Sequence, residues 1–528
     1  MRRFMPLLGL TGGAVAAALL ASAAQHARAQ GAGDPCTALV GQTFANARIE
    51  SAEVSTNGAV ASGRGAPLTG LPAFCRVRGL ATPSARSRIH FEAWLPVADW
   101  SGRIAMIGNG GYSSSFSAGD LAALVRQGSA AVATDTGHEG GELDFGYDND
   151  EAIADWGHRA VHESIVAAKA VAAHFYGRAP RHSYFAGCST GGHQALMEAQ
   201  RYPADFDGIL AGDPGNNRTN LNFGFLWQFL ANHEPGDNSH PILTAQDLAL
   251  VNRAAIKQCD ALDGVTDGVI ADPRQCKFAS AQLRCAAGKT PQCLSDRQVQ
   301  ALQQMYAGAR RRGTGEGIYP GWPVGSEAPE GAGGWQTYWA NPAKPDEPQR
   351  VDYFRRWAFH DPNWNWWSFD WSGGVDTARA RMAPLVDATS PDLSAFERRG
   401  GKIILYQGWA DPVVSAPDTI AYYQRMAAAT PRAANFSALF LVPGMGHCSG
   451  GPGASDFSSG PDASGNVALA LQDWVEKGAT PERILAVHRQ SRQPGAAMSF
   501  SRPLCAWPRL AHYKGSGDMT DAANFTCR

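Results

Sequence analysis

A serine, an aspartate and a histidine lie at three points of the chain where their side chains could perform acyl transfer. Ser189 is the central residue of Gly187-Cys188-Ser189-Thr190-Gly191, a Gly-x-Ser-x-Gly turn between a predicted strand and a predicted helix. The glycines of such a turn permit a tight bend that presents the serine at the carboxyl end of the sheet. A serine hydroxyl is a weak nucleophile until a histidine accepts its proton. The turn alone is a weak signal, so the prediction of a catalytic serine depends on whether the chain also supplies an acid and a histidine.

Two later segments carry candidate partners in the order serine, acid, histidine that this turn usually has. Asp411 follows the apolar segment 401–410, and His447 follows the next apolar segment, 437–445. Taken singly, Asp411 could be a turn residue before a proline and His447 an ordinary loop histidine. Because all three candidates end successive predicted strands, the sequence predicts a catalytic triad of Ser189, His447 and Asp411.

Other histidines and cysteines bear on that prediction. His138 and His193 are rival bases, but neither follows the last strand, and we interpret both as structural. Cys188 directly precedes the serine and Cys448 directly follows the histidine. A disulfide between them would hold their Cα atoms about 5.5 Å apart and bring base and nucleophile within reach of each other.

Length and composition limit the classes of protein to which this chain can belong. The chain has 528 residues, 44% of them hydrophobic and 18% charged, which is typical of a globular protein larger than one compact core. Its 46 basic residues nearly balance 48 acidic ones, so neither nucleic acid nor an anionic membrane is indicated as a partner.

The beginning of the chain resembles an export signal. Arg2 and Arg3 precede an apolar run of small residues that ends in Ala27-Arg28-Ala29, an A-x-A cleavage site. We predict a signal peptide over residues 1–29, a mature protein without a membrane anchor, and a secreted or periplasmic location. In an oxidising compartment the ten cysteines favour disulfides, and without a C-x-x-C pair they do not indicate a zinc site.

Strand and helix patterns alternate in two separate parts of the chain. Strands are predicted in 88–98, 102–112, 130–140, 181–189 and 206–215, with helices over 151–177 and 191–203, and the alternation resumes at 401–414, 437–447 and 464–477. Alternating strands and helices indicate a parallel α/β sheet. The intervening segment is rich in Cys, Gly, Pro, Trp and Asn. We therefore predict a catalytic domain of residues 30–214 and 386–528 interrupted by a lid of residues 215–385.

These motifs resemble the tannase and feruloyl esterase family, whose members include mono(2-hydroxyethyl) terephthalate hydrolases. The resemblance rests on "GCSTGG", "TDTGH", "GWADP" and "GMGHC" and runs from about residue 36 to the C-terminus. It implies an α/β-hydrolase fold with a large inserted lid, and a small aromatic ester as substrate. Feruloyl or other hydroxycinnamoyl esters are favoured, with galloyl esters or terephthalate half-esters as alternatives. A secreted serine peptidase and a non-catalytic, calcium-stabilised binding protein are the competing classes.

Acyl transfer also requires two N–H groups that stabilise the developing oxyanion. We expect one from Thr190, directly after the nucleophile, and the other from the loop that contains Gly110 and Gly111. The resemblance points to the same loop.

In the lid, the aromatic segment 354–371 is interpreted mainly as packing, and Arg355 or Arg356 as a candidate partner of a substrate carboxylate.

A second acidic cluster lies in the lid. Asp260, Asp263 and Asp267 lie close together between Cys259 and Cys276, and carboxylate oxygens suit Ca²⁺, although the spacing is not that of an EF-hand. The resemblance implies a structural calcium ion bound by these three aspartates and by the carbonyls of Val265 and Val269. It also implies five disulfides, which are Cys36–Cys75, Cys188–Cys448, Cys259–Cys276, Cys285–Cys293 and Cys505–Cys527.

Overall fold

The computed structural model describes Met1, residues 34–56, Val60 and residues 67–430, 432–491 and 496–528. The predicted signal peptide, apart from Met1, lies outside these residues. In the part that the structure describes, every helix is too short or too polar to cross a lipid bilayer.

One large sheet forms the centre of the described chain. Its strands are β1 (Thr43–Phe44), β2 (Ala47–Ser55), β3 (Phe74–Ala81), β4 (Ile89–Pro96), β5 (Arg103–Ile107), β6 (Ala130–Thr134), β7 (His182–Cys188) and β8 (Gly208–Gly212), followed after the lid by two more strands that are numbered below. Four short strands lie in the lid, namely β9 (Ala309–Arg310), β10 (Gly317–Tyr319), β11 (Ala340–Asn341) and β12 (Lys344–Pro348). The remaining strands are β13 (Lys402–Gly408), β14 (Ser437–Val442), β15 (Arg483–Arg489), β16 (Met498–Cys505), β17 (Ala511–Tyr513) and β18 (Phe525–Cys527).

The ten strands of this sheet are arranged in the order β1-β2-β3-β4-β6-β5-β7-β8-β13-β14. From β6 to β14 neighbouring strands are parallel, whereas β1 to β4 pair antiparallel with one another and β4 pairs antiparallel with β6. The parallel part confirms the predicted α/β arrangement. Among the predicted strands, the one over 88–98 is β4, which is antiparallel to both of its neighbours, and antiparallel pairs need no helical crossover. The strands β1 to β3, which also pair antiparallel, were not predicted.

Helices cover the sheet, and four of them lie in or at the end of the lid. They are α1 (Ala118–Arg126), α2 (Asp150–Ala154), α3 (Ala160–Tyr176), α4 (Thr190–Arg201), α5 (Arg218–Ala231), α6 (Ala245–Cys259), α7 (Asp296–Ala307), α8 (Gly373–Val386), α9 (Ser394–Arg398), α10 (Ala416–Ala429) and α11 (Val467–Lys477). A π-helical turn, Asp155–Arg159, joins α2 to α3, so the helix predicted over 151–177 is present with one wide turn inside it.

Two of the central strands, β6 and β8, are buried along their whole length. All five residues of β6 and of β8 are buried, as expected for parallel strands with helices on both faces. This is why their sequences are continuous apolar runs without polar alternation. The mixed sheet, with its helical crossovers and an insertion after β8, is an α/β-hydrolase fold.

Residues 215–385 contribute no strand to the large sheet. They form an apolar cluster around α5, α7 and α8 that also includes Tyr112 and Trp156 of the catalytic part. From the aromatic segment 354–371, Phe354 and Trp357 are fully buried in this cluster. The segment therefore serves mainly as packing, which agrees with the interpretation from sequence.

Candidate active site

The turn between β7 and α4 places Ser189 in an unusual backbone conformation. Ser189 has φ 63° and ψ −116°, a region that a residue with a side chain rarely adopts. Two glycines make the turn feasible, since a Cβ on Gly187 would lie 2.6 Å from the Cα of Gly191. The Ser189 N–H donates to the carbonyl of Gly212 at 2.9 Å, which ties the turn to the end of β8. These are the features of a nucleophile elbow.

A disulfide joins this turn to the loop that carries the histidine. Cys188 and Cys448 are bonded with an S–S distance of 2.03 Å and Cα atoms 5.9 Å apart, although 260 residues separate them in sequence. Ser189 and His447 are each one peptide away from a bridged cysteine. Because consecutive Cα atoms are about 3.8 Å apart, the Cα atoms of Ser189 and His447 lie within about 14 Å of each other.

His447 and Asp411 form the second half of the predicted constellation. His447 Nδ1 lies 2.8 Å from Asp411 Oδ2, with the histidine side chain 22% exposed and the carboxylate fully buried. A carboxylate only accepts hydrogen bonds, so Nδ1 carries the proton and Nε2 is left free to act as a base.

The Asp411 carboxylate is held by three further donors. Its Oδ1 accepts the N–H groups of Val413 at 2.7 Å and Val414 at 3.1 Å. Its Oδ2 is 3.3 Å from the amide nitrogen of Gln407, which lies four residues earlier on β13. The sequence analysis missed Gln407, since a glutamine inside an apolar strand gives no separate signal of its own.

The environment of His447 favours its charged form. Burial acts against the imidazolium, but the Asp411 carboxylate, through its charge and its hydrogen bond, outweighs burial and raises the pKa of His447 above its ordinary value. An acid in this position stabilises the positive charge that develops on a catalytic histidine.

The glycine-rich loop after β5 packs directly on the elbow. A Cβ on Gly108 would lie 2.6 Å from the Cα of Gly191, so only glycine allows this approach. Gln194 of α4 accepts the N–H of Asn109 at 3.0 Å and thereby fixes the loop that contains Gly110 and Gly111. Thr190 is the first residue of α4, a position whose N–H has no acceptor within its own helix. Gln194 and Asn109 are positioning residues that the sequence analysis did not identify.

Two arginines border this region. Arg218 is buried, donates to Thr190 Oγ1 at 2.9 Å and lies over the ring of Trp156. The guanidinium of Arg350 is 3.2 Å from the position of a Cβ on Gly111 and 5.0 Å from the centre of the Tyr112 ring. Arg350 thus lies beside the glycine loop, where a substrate carboxylate could meet it.

The arginines that the sequence analysis proposed for this role have other partners. Arg355 pairs with Glu347 at 3.0 Å, and Arg356 pairs with Asp144 at 2.7 Å. In the structure both arginines therefore pair with acidic side chains, and a role of either toward a substrate carboxylate stays a prediction.

The two rival histidines are occupied elsewhere. His138 Nε2 donates to the carbonyl of Tyr112 at 2.8 Å, and its ring stacks on Phe145. His193 is fully buried and donates from Nε2 to the carbonyl of Val386 at 2.7 Å. Burial lowers the pKa of both imidazoles, so they are neutral packing groups.

The acidic loop of the lid is folded around its own carboxylates. Asp260 accepts the N–H groups of Asp267 at 3.1 Å and Gly268 at 3.0 Å, and Asp267 also pairs with Arg502 at 2.6 Å. Oxygen donors of this kind suit calcium. In the described residues, the groups of three or more His, Cys, Asp or Glu ligand atoms within 4.8 Å of one another both include Asp213, and neither includes an aspartate of this loop. The calcium site stays a prediction.

All ten cysteines are paired in the structure. The pairs are Cys36–Cys75, Cys188–Cys448, Cys259–Cys276, Cys285–Cys293 and Cys505–Cys527. These are the five pairs that the resemblance implied. One of them, Cys259–Cys276, closes the acidic loop, and another, Cys505–Cys527, links β16 to β18.

Known proteins share this architecture. An uncharacterised esterase of Xanthomonas campestris pv. campestris is 35% identical over 527 residues, covering 93% of this chain and 91% of that protein. Mono(2-hydroxyethyl) terephthalate hydrolase of Piscinibacter sakaiensis is also 35% identical over 527 residues, covering 87% and 85% of the two chains. The crystal structure of feruloyl esterase B from Aspergillus oryzae has a TM-score of 0.84 at 29% identity, covering 92% of this chain and 98% of that one.

The sequence model of one family, "Tannase and feruloyl esterase", matches residues 75–528. That match spans the elbow, the lid and both segments that supply Asp411 and His447. The chain therefore belongs to the tannase and feruloyl esterase family and is a carboxylic ester hydrolase.

Proposed function

We propose that the protein is a secreted serine esterase that hydrolyses esters of aromatic carboxylic acids, with feruloyl and other hydroxycinnamoyl esters preferred. The single observation that carries the serine mechanism is the His447–Asp411 hydrogen bond of 2.8 Å beside an elbow serine, with the Cys188–Cys448 disulfide connecting the two loops. The feruloyl preference is supported by the similarity to feruloyl esterase B from Aspergillus oryzae.

In the first half of the reaction, Ser189 Oγ attacks the ester carbonyl while His447 Nε2 takes the hydroxyl proton. The carbonyl oxygen becomes an oxyanion that the N–H of Thr190 and an N–H of the loop with Gly110 and Gly111 stabilise. The bond to the alcohol oxygen then breaks, and His447 returns the proton to the departing alcohol. Asp411 stays ionised throughout and stabilises the imidazolium.

In the second half, a water molecule replaces the alcohol. His447 removes a proton from this water, which attacks the acyl carbonyl, and the Ser189–acyl bond breaks with return of the proton to Ser189 Oγ. The products are a free aromatic acid and the regenerated serine.

A second candidate substrate class is the half-ester of an aromatic dicarboxylic acid. It is favoured by Arg350, whose guanidinium lies beside the glycine loop 3.2 Å from the Cβ position of Gly111. A carboxylate on the far side of the acyl ring would match a guanidinium at the edge of the site. One relative of similar identity carries the name mono(2-hydroxyethyl) terephthalate hydrolase.

We also propose a structural calcium ion in the lid, held by Asp260, Asp263 and Asp267 with the carbonyls of Val265 and Val269. The donor types and the closing Cys259–Cys276 disulfide support it. Arg502 pairs with Oδ2 of Asp267, so this guanidinium lies beside the proposed ligands. Export of the protein is supported by the five disulfides, which persist in oxidising compartments.

The test is hydrolysis of methyl ferulate, methyl gallate and mono(2-hydroxyethyl) terephthalate by the mature protein and by Ser189→Ala. We expect turnover of methyl ferulate that Ser189→Ala abolishes. Arg350→Gln separates the two substrate classes, because it should impair the terephthalate half-ester at least tenfold more than methyl ferulate. Turnover that survives Ser189→Ala would refute the proposed mechanism.

A further inference from the structure

Asp213 is a buried carboxyl group that the mechanism above does not use. It directly follows β8, the strand next to the elbow strand, and its side chain is fully buried. Its φ of 36° lies in the left-handed region, which costs conformational energy for a residue other than glycine. A buried acidic residue in a strained conformation requires contacts that compensate for both the burial and the strain.

Both carboxylate oxygens of Asp213 accept backbone hydrogen bonds from segments that carry the triad. Oδ1 accepts the N–H of Gly408, the last residue of β13, at 2.7 Å. Oδ2 accepts the N–H of Cys448, the residue after the catalytic histidine, at 2.9 Å. The same oxygen lies 3.4 Å from Sγ of Cys188, the residue before the serine. One side chain therefore contacts the three segments that supply Ser189, Asp411 and His447.

Asp213 is also close to the reacting groups themselves. One of its oxygens, an oxygen of Asp411 and a nitrogen of His447 all lie within 4.8 Å of one another. Burial raises the pKa of Asp213, and the neighbouring Asp411 charge adds to this, whereas His447 opposes it. The other groups that bear on this cluster are the phenol of Tyr406, which packs on Gly212, and the Arg218 guanidinium, which opposes the charge on His447.

We propose that Asp213 is a positioning residue of the triad. Resting on the proposed function, this role has two parts: the carboxyl fixes the histidine loop against the strand that leads to Asp411, and it adds a second acidic group beside the His447–Asp411 pair. When His447 takes the proton of Ser189, the positive imidazolium then lies near two carboxyl groups. A negative charge stabilises an imidazolium more strongly in a buried site than in bulk water.

The experiment compares wild type with Asp213→Asn, which keeps the size of the side chain but cannot ionise. Its readout is the rate at which a fluorophosphonate inactivates the enzyme between pH 5 and 9. In that reaction Ser189 Oγ forms a bond to phosphorus, the P–F bond breaks, fluoride leaves and His447 accepts the proton. The rate reports on Ser189 and His447 independently of any natural ester.

The proposal predicts that Asp213→Asn lowers the inactivation rate at least tenfold. It also predicts that the acid limb of the pH profile moves to lower pH, because removing an acidic neighbour destabilises the imidazolium. Asp418→Asn is the matched control, since Asp418 is a buried carboxyl that bonds Asn217, and it should stay within twofold of wild type. Asp213→Ser has a smaller side chain that is also uncharged, and it should move the acid limb of the pH profile in the same direction. It replaces Asp213→Asn in the experiment if the asparagine variant does not fold.

If the wild type is labelled and the folded Asp213 variants show the same inactivation rate and the same acid limb, the proposed role of Asp213 is wrong. The proposed function is unaffected by that result. A slower rate with an unmoved limb would reduce Asp213 to a structural residue and would equally overturn the proposal. A wild-type protein whose Ser189 is not labelled would refute the proposed function, and the role of Asp213 with it.

Discussion

Gln407 places its amide nitrogen 3.3 Å from Oδ2 of Asp411, the same oxygen that accepts the hydrogen bond of His447. The amide also lies 3.2 Å from the carbonyl of Val414, so Gln407 connects β13 with the loop that holds the acid. Asp411 is thus oriented by a side chain as well as by backbone N–H groups.

Replacing this amide should weaken catalysis without affecting substrate binding. We expect Gln407→Met to lower kcat about tenfold, because a hydrogen bond to a charged group contributes roughly 1.5–3 kcal/mol. KM should remain within about twofold. Steady-state kinetics with the preferred ester measure both.

Thr419→Val is the matched control, since Thr419 Oγ1 bonds the other end of the same amide, Gln407 Oε1, at 2.7 Å. This variant should leave kcat within about twofold of wild type. A Gln407→Met enzyme with wild-type kcat would show that the backbone N–H groups alone orient Asp411.

The Cys188–Cys448 disulfide should contribute to both stability and activity. Removing both cysteines as Cys188→Ala/Cys448→Ala should lower the free energy of unfolding by about 2–5 kcal/mol. It should also lower kcat, because the two loops that carry Ser189 and His447 lose their covalent connection. Denaturant unfolding and kinetics test the two effects separately.

The corresponding control removes Cys505–Cys527, which links β16 to β18 away from the triad. That double variant should lose stability with kcat unchanged. If the two double variants lose kcat equally, the positional role of Cys188–Cys448 is wrong.

In the proposed mechanism His447 is the general base, and its raised pKa should set the acid limb of the pH–rate profile. A general base must be neutral, so kcat/KM rises as the pH passes upward through the pKa of the free enzyme's histidine. We expect the midpoint above about 6.5, the ordinary value for histidine. Asp411→Asn should move the midpoint down, since the stabilising charge is gone. A wild-type midpoint well below 6.5 would contradict the geometry.

The glycine loop should depend on α4 for its position. Gln194→Met removes the acceptor for the Asn109 N–H, now bonded at 3.0 Å, and leaves that buried donor unpaired. We expect kcat to fall about tenfold, in line with a cost of roughly 1–3 kcal/mol for such a group. Gln200→Met, on the same helix and bonded to the Ser390 N–H, is the control and should retain wild-type kcat. Equal kcat in both variants would argue against a role for Gln194.

The proposed calcium ion predicts a change in stability with little change in mechanism. Chelation by EGTA should lower Tm by several degrees, and Ca²⁺ but not Mg²⁺ should restore it, because the loop offers several oxygen donors rather than an octahedral cage. Asp263→Asn should abolish the response. A Tm that is insensitive to EGTA and a dialysed protein without bound calcium would refute the site.

The sequence was sufficient for the parallel core because buried parallel strands leave continuous apolar runs and their helices keep a period of 3.6 residues. It also predicted Asp411 and His447 as a pair, which the structure brings within 2.8 Å. The antiparallel strands β1 to β3 were not predicted, since their polar alternation is a weak signal in a single sequence. The lid helices α5 to α8 were not predicted either, since their flanks are irregular.

The site residues that could not be predicted from the sequence have a physical reason in common. Gln194 and Asp213 accept hydrogen bonds from backbone groups that are distant in sequence, and Gln407 lies inside a strand and bonds the Asp411 carboxylate. Such contacts depend on tertiary packing and leave no spacing pattern. No pattern in the sequence explains an acidic residue at position 213, and only the fold shows the hydrogen bonds that Asp213 accepts from Gly408 and Cys448.

The most direct test of the account is to trap the acyl-enzyme. Wild-type protein is mixed with methyl ferulate, quenched in acid within the first turnover, digested and examined by mass spectrometry, with Ser189→Ala treated in parallel. We predict one feruloyl group on the peptide that contains Ser189, and none on the variant. Steady hydrolysis of methyl ferulate by Ser189→Ala, or an acyl group on any other residue, would contradict the account.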